Sequence, residues 1–495
     1  MPGGLETPGS WEYKYRLCRQ ADPGVTPSSC HRVIRGGLDA IYPFTTMNIR
    51  PPCNGEGIGP DNGGRYLGMS IQAVAASVVF ILTIMVIATG KMRRSVAALL
   101  AASLLMGLNI IPAQKAVSYI DFNTIGLLMG MMIIVGVISG TGLFQYIAVL
   151  TVKATGGRIH LTYIAVLAVT ALLSAFLDNV TTVLLISPVV ISLVDLMDVN
   201  PFPFLIGEAF ASNIGGTATL VGDPPNMIIG SFAHFSFMDF IVNLTPAVAL
   251  VMVIVTAWLL YHFRKDLEGG ERATERIAKV DESKLIKDRG LMIRASTAMA
   301  LVVAGFVVHH ILDLPASVIA LLGATVLLAV VPVDGDEVIH RDIEWPTIMF
   351  FVSLFIIVGA LNETGVIKAA SELFISFFKG RPLAAMVAML WFSGLVCAFI
   401  NNVAFTVTFV YVARDLAAST GMAAAPLFWA LSLGACLGGN GTFLGAAANV
   451  VVADIAEKSG NRINFRTFMR TGLKVVFISL ITASLYIVIR WGGLF

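Results

Sequence analysis

The 495-residue chain is 57% hydrophobic and only 13% charged, with a mean hydropathy of +0.83 and a formal net charge of +2. Soluble domains carry about 25% charged residues. Half that share, with repeated apolar runs of about 20 residues, excludes an ordinary soluble enzyme and indicates a polytopic helical membrane protein. The ten-residue alternation of an outer-membrane barrel is absent, and the near-neutral charge points to no nucleic-acid partner.

Residues 1–67 are rich in Pro, Gly, Arg and Cys and hold no sustained apolar core of a secretory signal. They read either as a disordered tail or as a start assigned too early, with Met69 opening the protein. Cys18, Cys30 and Cys53 lie here without metal-ligand spacing, whereas Cys397 and Cys436 sit in apolar segments as small core residues.

Apolar segments then follow at about 70–89, 95–111, 124–146, 161–177, 180–196, 204–230 and 240–263. A second series covers about 291–311, 315–331, 345–367, 383–400, 403–412, 426–453 and 471–489. Between them, His262 to Arg294 holds nine basic residues, which places that loop in the cytoplasm by the positive-inside rule. The expected organisation is a first transmembrane repeat over 68–263, a cytoplasmic linker over 264–290 and a second repeat over 291–495. Trp345, Trp429 and Trp491 near segment ends suit the aromatic belt.

The two series are copies. Asp178-Asn179-Val180-Thr181 recurs as Asn401-Asn402-Val403-Ala404, and Gly215-Gly216-Thr217 recurs as Gly438-Gly439-Asn440. Gly222-Asp223 recurs as Gly445-Ala446, and Asn226 as Asn449, always 223 positions later. Thr124-Ile125, Gly136, Thr141-Gly142 and Gly157-Arg158 have mates at the same spacing, and no gap is needed between Asp121 and Asn226.

Two apolar arms joined only by Asp178-Asn179 suggest a re-entrant hairpin. Each half then has about five full crossings plus one hairpin, and an odd count turns the second half upside down, the inverted-repeat plan of secondary transporters. If both arms spanned fully, the halves would be parallel. The Gly-Gly pairs lie inside long apolar runs, and Pro224-Pro225 cannot donate backbone hydrogen bonds, so each copy reads as a helix, an unwound stretch and a helix. Irregular backbone at membrane depth is tolerated where protein or water satisfies it. Helix N-termini there suit an anion, and free carbonyls with amide and hydroxyl oxygens suit a hard cation.

The expected cation site is Asp178, Asn179, Gly215, Gly216, Thr217, Asn401, Asn402, Gly438, Gly439 and Asn440. The expected substrate site is Asn179, Val180, Thr181, Gly222, Asp223, Asn402, Val403, Gly445 and Ala446. Asp178, Asp223 and Glu208 are the proton-coupling candidates, because intramembrane carboxylates are functional by default. All three lie in the first half; their mates are Asn401, Ala446 and Leu431. Asp178 could instead cap a helix, Asp223 start a turn, and Glu208 sit at the interface. No P-loop, no HExxH and no paired-carboxylate transferase motif occurs, so the chain reads as neither an ATPase nor another enzyme. No resident cofactor or metal beyond Na⁺ is expected.

The stretches Phe176–Leu185, Asn213–Thr219 with Gly222–Asn226, Gly434–Thr442 and Ala448–Glu457 resemble the ion transporter superfamily. The likeness lies with its branch of arsenite permeases, sodium/proton antiporters and melanosomal P-protein-like members, and covers about residues 68 to 491. It implies a homodimer in the cell membrane in which a transport domain, holding two hairpins and two broken helices, moves against a scaffold by an elevator mechanism. Sodium–dicarboxylate relatives carry Ser-Asn-Thr at both tips, where this chain has Asp178-Asn179-Val180 and Asn401-Asn402-Val403. The function implied is secondary transport of a small anion or oxyanion, of arsenite or carboxylate type, driven by Na⁺ or H⁺. A Na⁺/H⁺ antiporter without organic substrate, or an anion channel on the same repeat, stays open.

Overall fold

A computed structural model describes residues 70–267, 282–378, 380–420 and 422–494. The reading of residues 1–67, with Cys18, Cys30 and Cys53, falls outside them, as does the middle of the 264–290 linker.

The first half runs α1 (Ile71–Thr89), α2 (Arg94–Gly107), α3 (Ala113–Ser118), α4 (Phe122–Gly140), α5 (Leu143–Ala154), α6 (Ile159–Ser174), α7 (Asn179–Met197), α8 (Pro201–Gly216), α9 (Pro224–Ala233), α10 (Phe237–Asn243) and α11 (Thr245–His262). The second runs α12 (Arg289–Leu312), α13 (Ala316–Val330), α14 (Gly335–Asp342), α15 (Trp345–Glu363), α16 (Val366–Phe378), α17 (Pro382–Cys397), α18 (Asn402–Thr420), α19 (Ala424–Gly438), α20 (Ala447–Lys458) and α21 (Phe465–Trp491). The bounds of α4, α6 and α7 reappear 223 positions later, to the residue, as α15, α17 and α18. The described residues contain no strand. Among the described residues, seven helices (α1, α4, α7, α11, α12, α15 and α21) are long and apolar enough to cross a membrane. The protein is an all-α, multi-pass membrane protein.

Several helices begin where a side chain satisfies free backbone N–H groups. Asp121 accepts from Asn123 N and Thr124 N ahead of α4, and Ser70 does the same for α1. Beyond that, burial decides. Every residue of α8 from Pro203 to Gly216, and of α19 from Pro426 to Gly438, is buried. A helix apolar all round belongs in the interior, and these two stand at the centre.

Packing between the halves is reciprocal. α13 packs on α4 while α15 packs on α2, its mate arrangement; α20 packs on α7 while α9 packs on α18. At residue level Tyr119 fills the space over Gly359, and its mate Asp342 fills the space over Gly136. Mutual exchange of this kind is what a self-complementary pair of subunits shows.

Two sequence expectations change. Trp429 does not reach an interface: it is 3% exposed, stacked on Phe235 at 4.3 Å and edge-on to Phe240 at 5.1 Å, because it lies on the enclosed α19. Trp491 is likewise buried, leaving Trp345 as the exposed ring of the three. Cys397 and Cys436 are buried free thiols, as expected.

The glycine pairs are contact points between backbones. A Cβ on Gly215 would stand 2.1 Å from the Ala171 carbonyl oxygen, and one on Gly438 would stand 2.4 Å from that of Gly394, its mate position. α8 therefore lies against α6, and α19 against α17, at a distance only glycine permits. Gly215→Ala is expected to destabilise by about 1–3 kcal/mol, lowering the melting temperature of purified protein in detergent. Gly140→Ala, whose methyl meets nothing within 4 Å, should leave it unchanged. Equal melting temperatures for the two variants would refute the close-approach reading.

Candidate functional site

Each half contributes a hairpin tip and a helix break. The first tip turns between α6 and α7, where Asp178 accepts from Thr181 N at 2.9 Å and from the Thr181 hydroxyl. Asp178 is thus a helix cap. The second tip lies between α17 and α18, where Asn401 Oδ1 accepts from Val403 N at 3.1 Å and Ala404 N at 3.4 Å. The breaks cover 217–223, between α8 and α9, and 439–446, between α19 and α20.

Side chains replace the missing helical bonds. Asn226 Nδ2 donates to the carbonyls of Thr217 at 3.0 Å and Thr219 at 2.7 Å. Its mate Asn449 donates to those of Gly439 at 2.7 Å and Thr442 at 2.8 Å. Thr219 donates its hydroxyl to the Ala175 carbonyl, and Thr442 to that of Ala398 at 2.6 Å, fastening each break to the adjoining tip. Gly445 accepts from Asn402 N at 3.1 Å, a further tie on the second side.

The two assemblies meet at Asp223. Its Oδ1 accepts from Asn179 Nδ2 at 3.2 Å, and Asn402 Nδ2 stands 3.5 Å from both carboxylate oxygens. Asn179 also donates to Asn213 Oδ1 at 3.1 Å, and Asn213 donates to Asn440 Oδ1 at 3.0 Å and Asn449 Oδ1 at 2.9 Å. A buried polar chain, Asn402–Asp223–Asn179–Asn213–Asn440/Asn449, therefore crosses between the halves twice. Ser432 adds a third crossing, donating to Asn226 Oδ1 at 2.6 Å. Asn440 Nδ2 is buried without a partner among the described residues.

A cavity opens over this junction. Of the residues expected from sequence, Asp178, Asn179, Val180, Asp223, Asn401, Asn402 and Val403 line it. Gly215, Gly216, Gly438 and Gly439 stand behind it as backbone contacts; Gly222 packs on the Gly216 carbonyl and Gly445 on that of Gly439. Thr217 donates to Asn213 O at 2.8 Å, Thr181 turns to Asp178, and Ala446 caps α20. Thr217, Asn440 and Ala446 are buried off the cavity wall.

Glu208 is apart from this group. It is fully buried on α8 rather than interfacial, with Ser187 Oγ donating to Oε1 at 2.9 Å and Oε2 unpartnered among the described residues. Its place five residues into a segment suggested a membrane surface, but α8 is enclosed along nearly its whole length.

Sequence reasoning missed part of the lining. Arg94, Glu344, Thr347 and Phe350, from α2 and α15, line the cavity together with the tips. Arg94 Nη2 donates to Thr347 Oγ1 at 3.0 Å, Thr347 donates to Glu344 Oε2 at 2.8 Å, and the guanidinium lies 5.7 Å from the Phe350 ring centre. Arg94 follows Lys91 and Arg93 and so looked like one more inside-loop charge. The signal available was the spacing of Glu344 and Thr347, which repeats that of Asp121 and Thr124; Thr124 donates to Asp121 Oδ2 at 2.6 Å.

Chemically, one cavity joins carboxylate and amide oxygens, suited to a hard cation, with helix N-termini and a guanidinium, suited to an anion.

Comparison with known proteins agrees. Residues 84–434 match the family described as citrate transporter. The chain belongs to that family. It is 39% identical to a 46 kDa membrane protein of Mycobacterium leprae over 426 residues, which are 85% of this chain and 99% of that protein. It is 38% identical, with the same coverage, to an uncharacterized transporter of Mycobacterium tuberculosis. It is 31% identical to the P protein of Mus musculus over 510 residues, 86% of this chain and 61% of that protein. The P-protein likeness read from the motifs is thereby shown. The family description and the name of the Mycobacterium tuberculosis relative are those of transporters, and the chain is a membrane transporter rather than an enzyme.

Asn449→Ala removes the clamp on two buried carbonyls and the acceptor for Asn213. An unsatisfied buried polar group costs about 1–3 kcal/mol, so the variant is expected to melt several degrees lower in detergent. An unchanged melting temperature would show that the second break holds without its clamp.

Proposed function

We propose that the chain is a secondary active transporter that couples Na⁺ or H⁺ to the movement of a small carboxylate-type anion. Its two halves are inverted repeats, and the tips and breaks move as one body against the wall that carries Arg94 and Glu344. One observation carries the reading: both tips converge on Asp223 at the end of the first break, where Asn179 of one half and Asn402 of the other meet the same carboxylate. Duplicated broken helices around one polar site fit alternating access around a fixed site. The family's description as citrate transporter supports a carboxylate substrate.

The test is uptake of radiolabelled citrate, succinate and arsenite into proteoliposomes under an imposed Na⁺ or pH gradient. A carrier accumulates substrate and shows trans-stimulation by unlabelled substrate. Voltage-driven current without exchange would indicate a channel. Na⁺/H⁺ exchange with no organic substrate moved would indicate an antiporter.

Asp178 is the cavity carboxylate at the tip. Asp178→Asn keeps an oxygen to cap Thr181 N and should leave the protein folded, with an unaltered gel-filtration profile, while abolishing gradient-driven uptake. Wild-type uptake by this variant would remove Asp178 from the coupling.

A further inference from the structure

Arg94, the first residue of α2, is the one basic side chain lining the cavity among the described residues. Thr347 and Glu344 hold it in place from α15 and its N-cap. A guanidinium carries five N–H donors in a planar fork, and among the described residues a single hydrogen bond, to Thr347, engages it, with no ion pair within 4.0 Å. A partly desolvated cation with most of its donors unspent, beside an otherwise acidic cavity, is poised for an anionic ligand.

Six helix starts border the cavity, and the four that belong to the tips and breaks are unequal. Asp178 caps α7 and Asn401 accepts from the first turn of α18. α9 opens on Pro224-Pro225, which have no N–H to offer. Of these four, α20 begins on alanines with no side-chain cap, and its Ala447 lines the cavity. Free N–H groups at a helix start and an Arg fork in one cavity are both donors for a carboxylate.

The repeat makes the arrangement one-sided. The mate of Arg94 is Ser317, which donates to Asn123 instead. The mates of Asp178 and Asp223 are Asn401 and Ala446. A scaffold requirement would act on both copies alike, whereas a ligand bound once needs its charge only once.

We propose that Arg94 is the substrate anchor of this transporter: its fork, with the N-terminal amides of α20, binds a carboxylate group of the transported anion, while Asp178 and Asp223 hold the coupling cation. This inference rests on the carboxylate reading above and adds the residue that sets anion affinity.

The test measures citrate uptake by the full chain in proteoliposomes, with the gradient that drives the wild type, for Arg94→Gln and Arg94→Lys. Hydrogen bonds to charged groups are worth about 1.5–3 kcal/mol. Arg94→Gln is therefore expected to raise KM for citrate at least about tenfold while Vmax changes far less. Arg94→Lys, which keeps charge but loses the fork, should fall between. The ligand-free melting temperature of Arg94→Gln should match the wild type, and the stabilisation by citrate should disappear. A wild-type KM in Arg94→Gln overturns the anchor and leaves the transport reading standing. So does a lowered ligand-free melting temperature with KM kept, which marks a structural residue. Failure of the wild-type protein to move citrate or succinate overturns the proposed function and the anchor with it.

Discussion

Backbone polar groups without partners, deep inside an apolar molecule, are the constraint on which this structure depends. Breaking a helix at 217–223 and again at 439–446 strips carbonyls of their helical donors, and each such group left bare costs more than most packing contacts return. Asn226 and Asn449 resolve this by spending both amide hydrogens on the broken strand. Thr219 and Thr442 then tie each break to the neighbouring tip. The position of Asp178 or Asn401 follows from those bonds, and the cavity follows from the position of the tips. Glycine at 215 and 438 serves the same end by letting α8 and α19 lie directly on the hairpin arms.

Much of this was legible because it is duplicated. Residues that recur 223 positions apart disclosed the hairpins, the breaks and the asparagines before any fold was known, and the helix bounds recur at that spacing. The central residues Asp178, Asn179, Asp223 and Asn402 came from the same signal. Unpaired features were harder. Arg94 has no charged mate and sits among loop cations, so nothing in its neighbourhood marked it. Trp429 carries the residue type of an interface, but its burial is fixed by α10 and α9 folding over α19, which local sequence does not encode. The glycines announced a site and turned out to stand behind it, because close backbone approach and ligand exposure call for the same residue.

The cavity combines opposite charge preferences without cancelling them. Asp178 and Asp223 are held by amide and hydroxyl donors rather than by cations, and Arg94 is held by a hydroxyl rather than a carboxylate. Neutral supports leave each charge available to a ligand of the other sign, which is how preorganised sites gain specificity at low dielectric.

The exchange of Tyr119 over Gly359 for Asp342 over Gly136 bears on where the charges can sit. Contacts that swap in this way have the isologous pattern of a symmetric dimer, here built within one chain. In a dimer of identical halves an arginine at position 94 would appear twice, with two tip aspartates. In one chain the paired positions are independent, and Ser317, Asn401 and Ala446 stand where Arg94, Asp178 and Asp223 have their mates. A covalent join therefore permits a site with one arginine and its aspartates on one side, which two identical subunits related by symmetry cannot build.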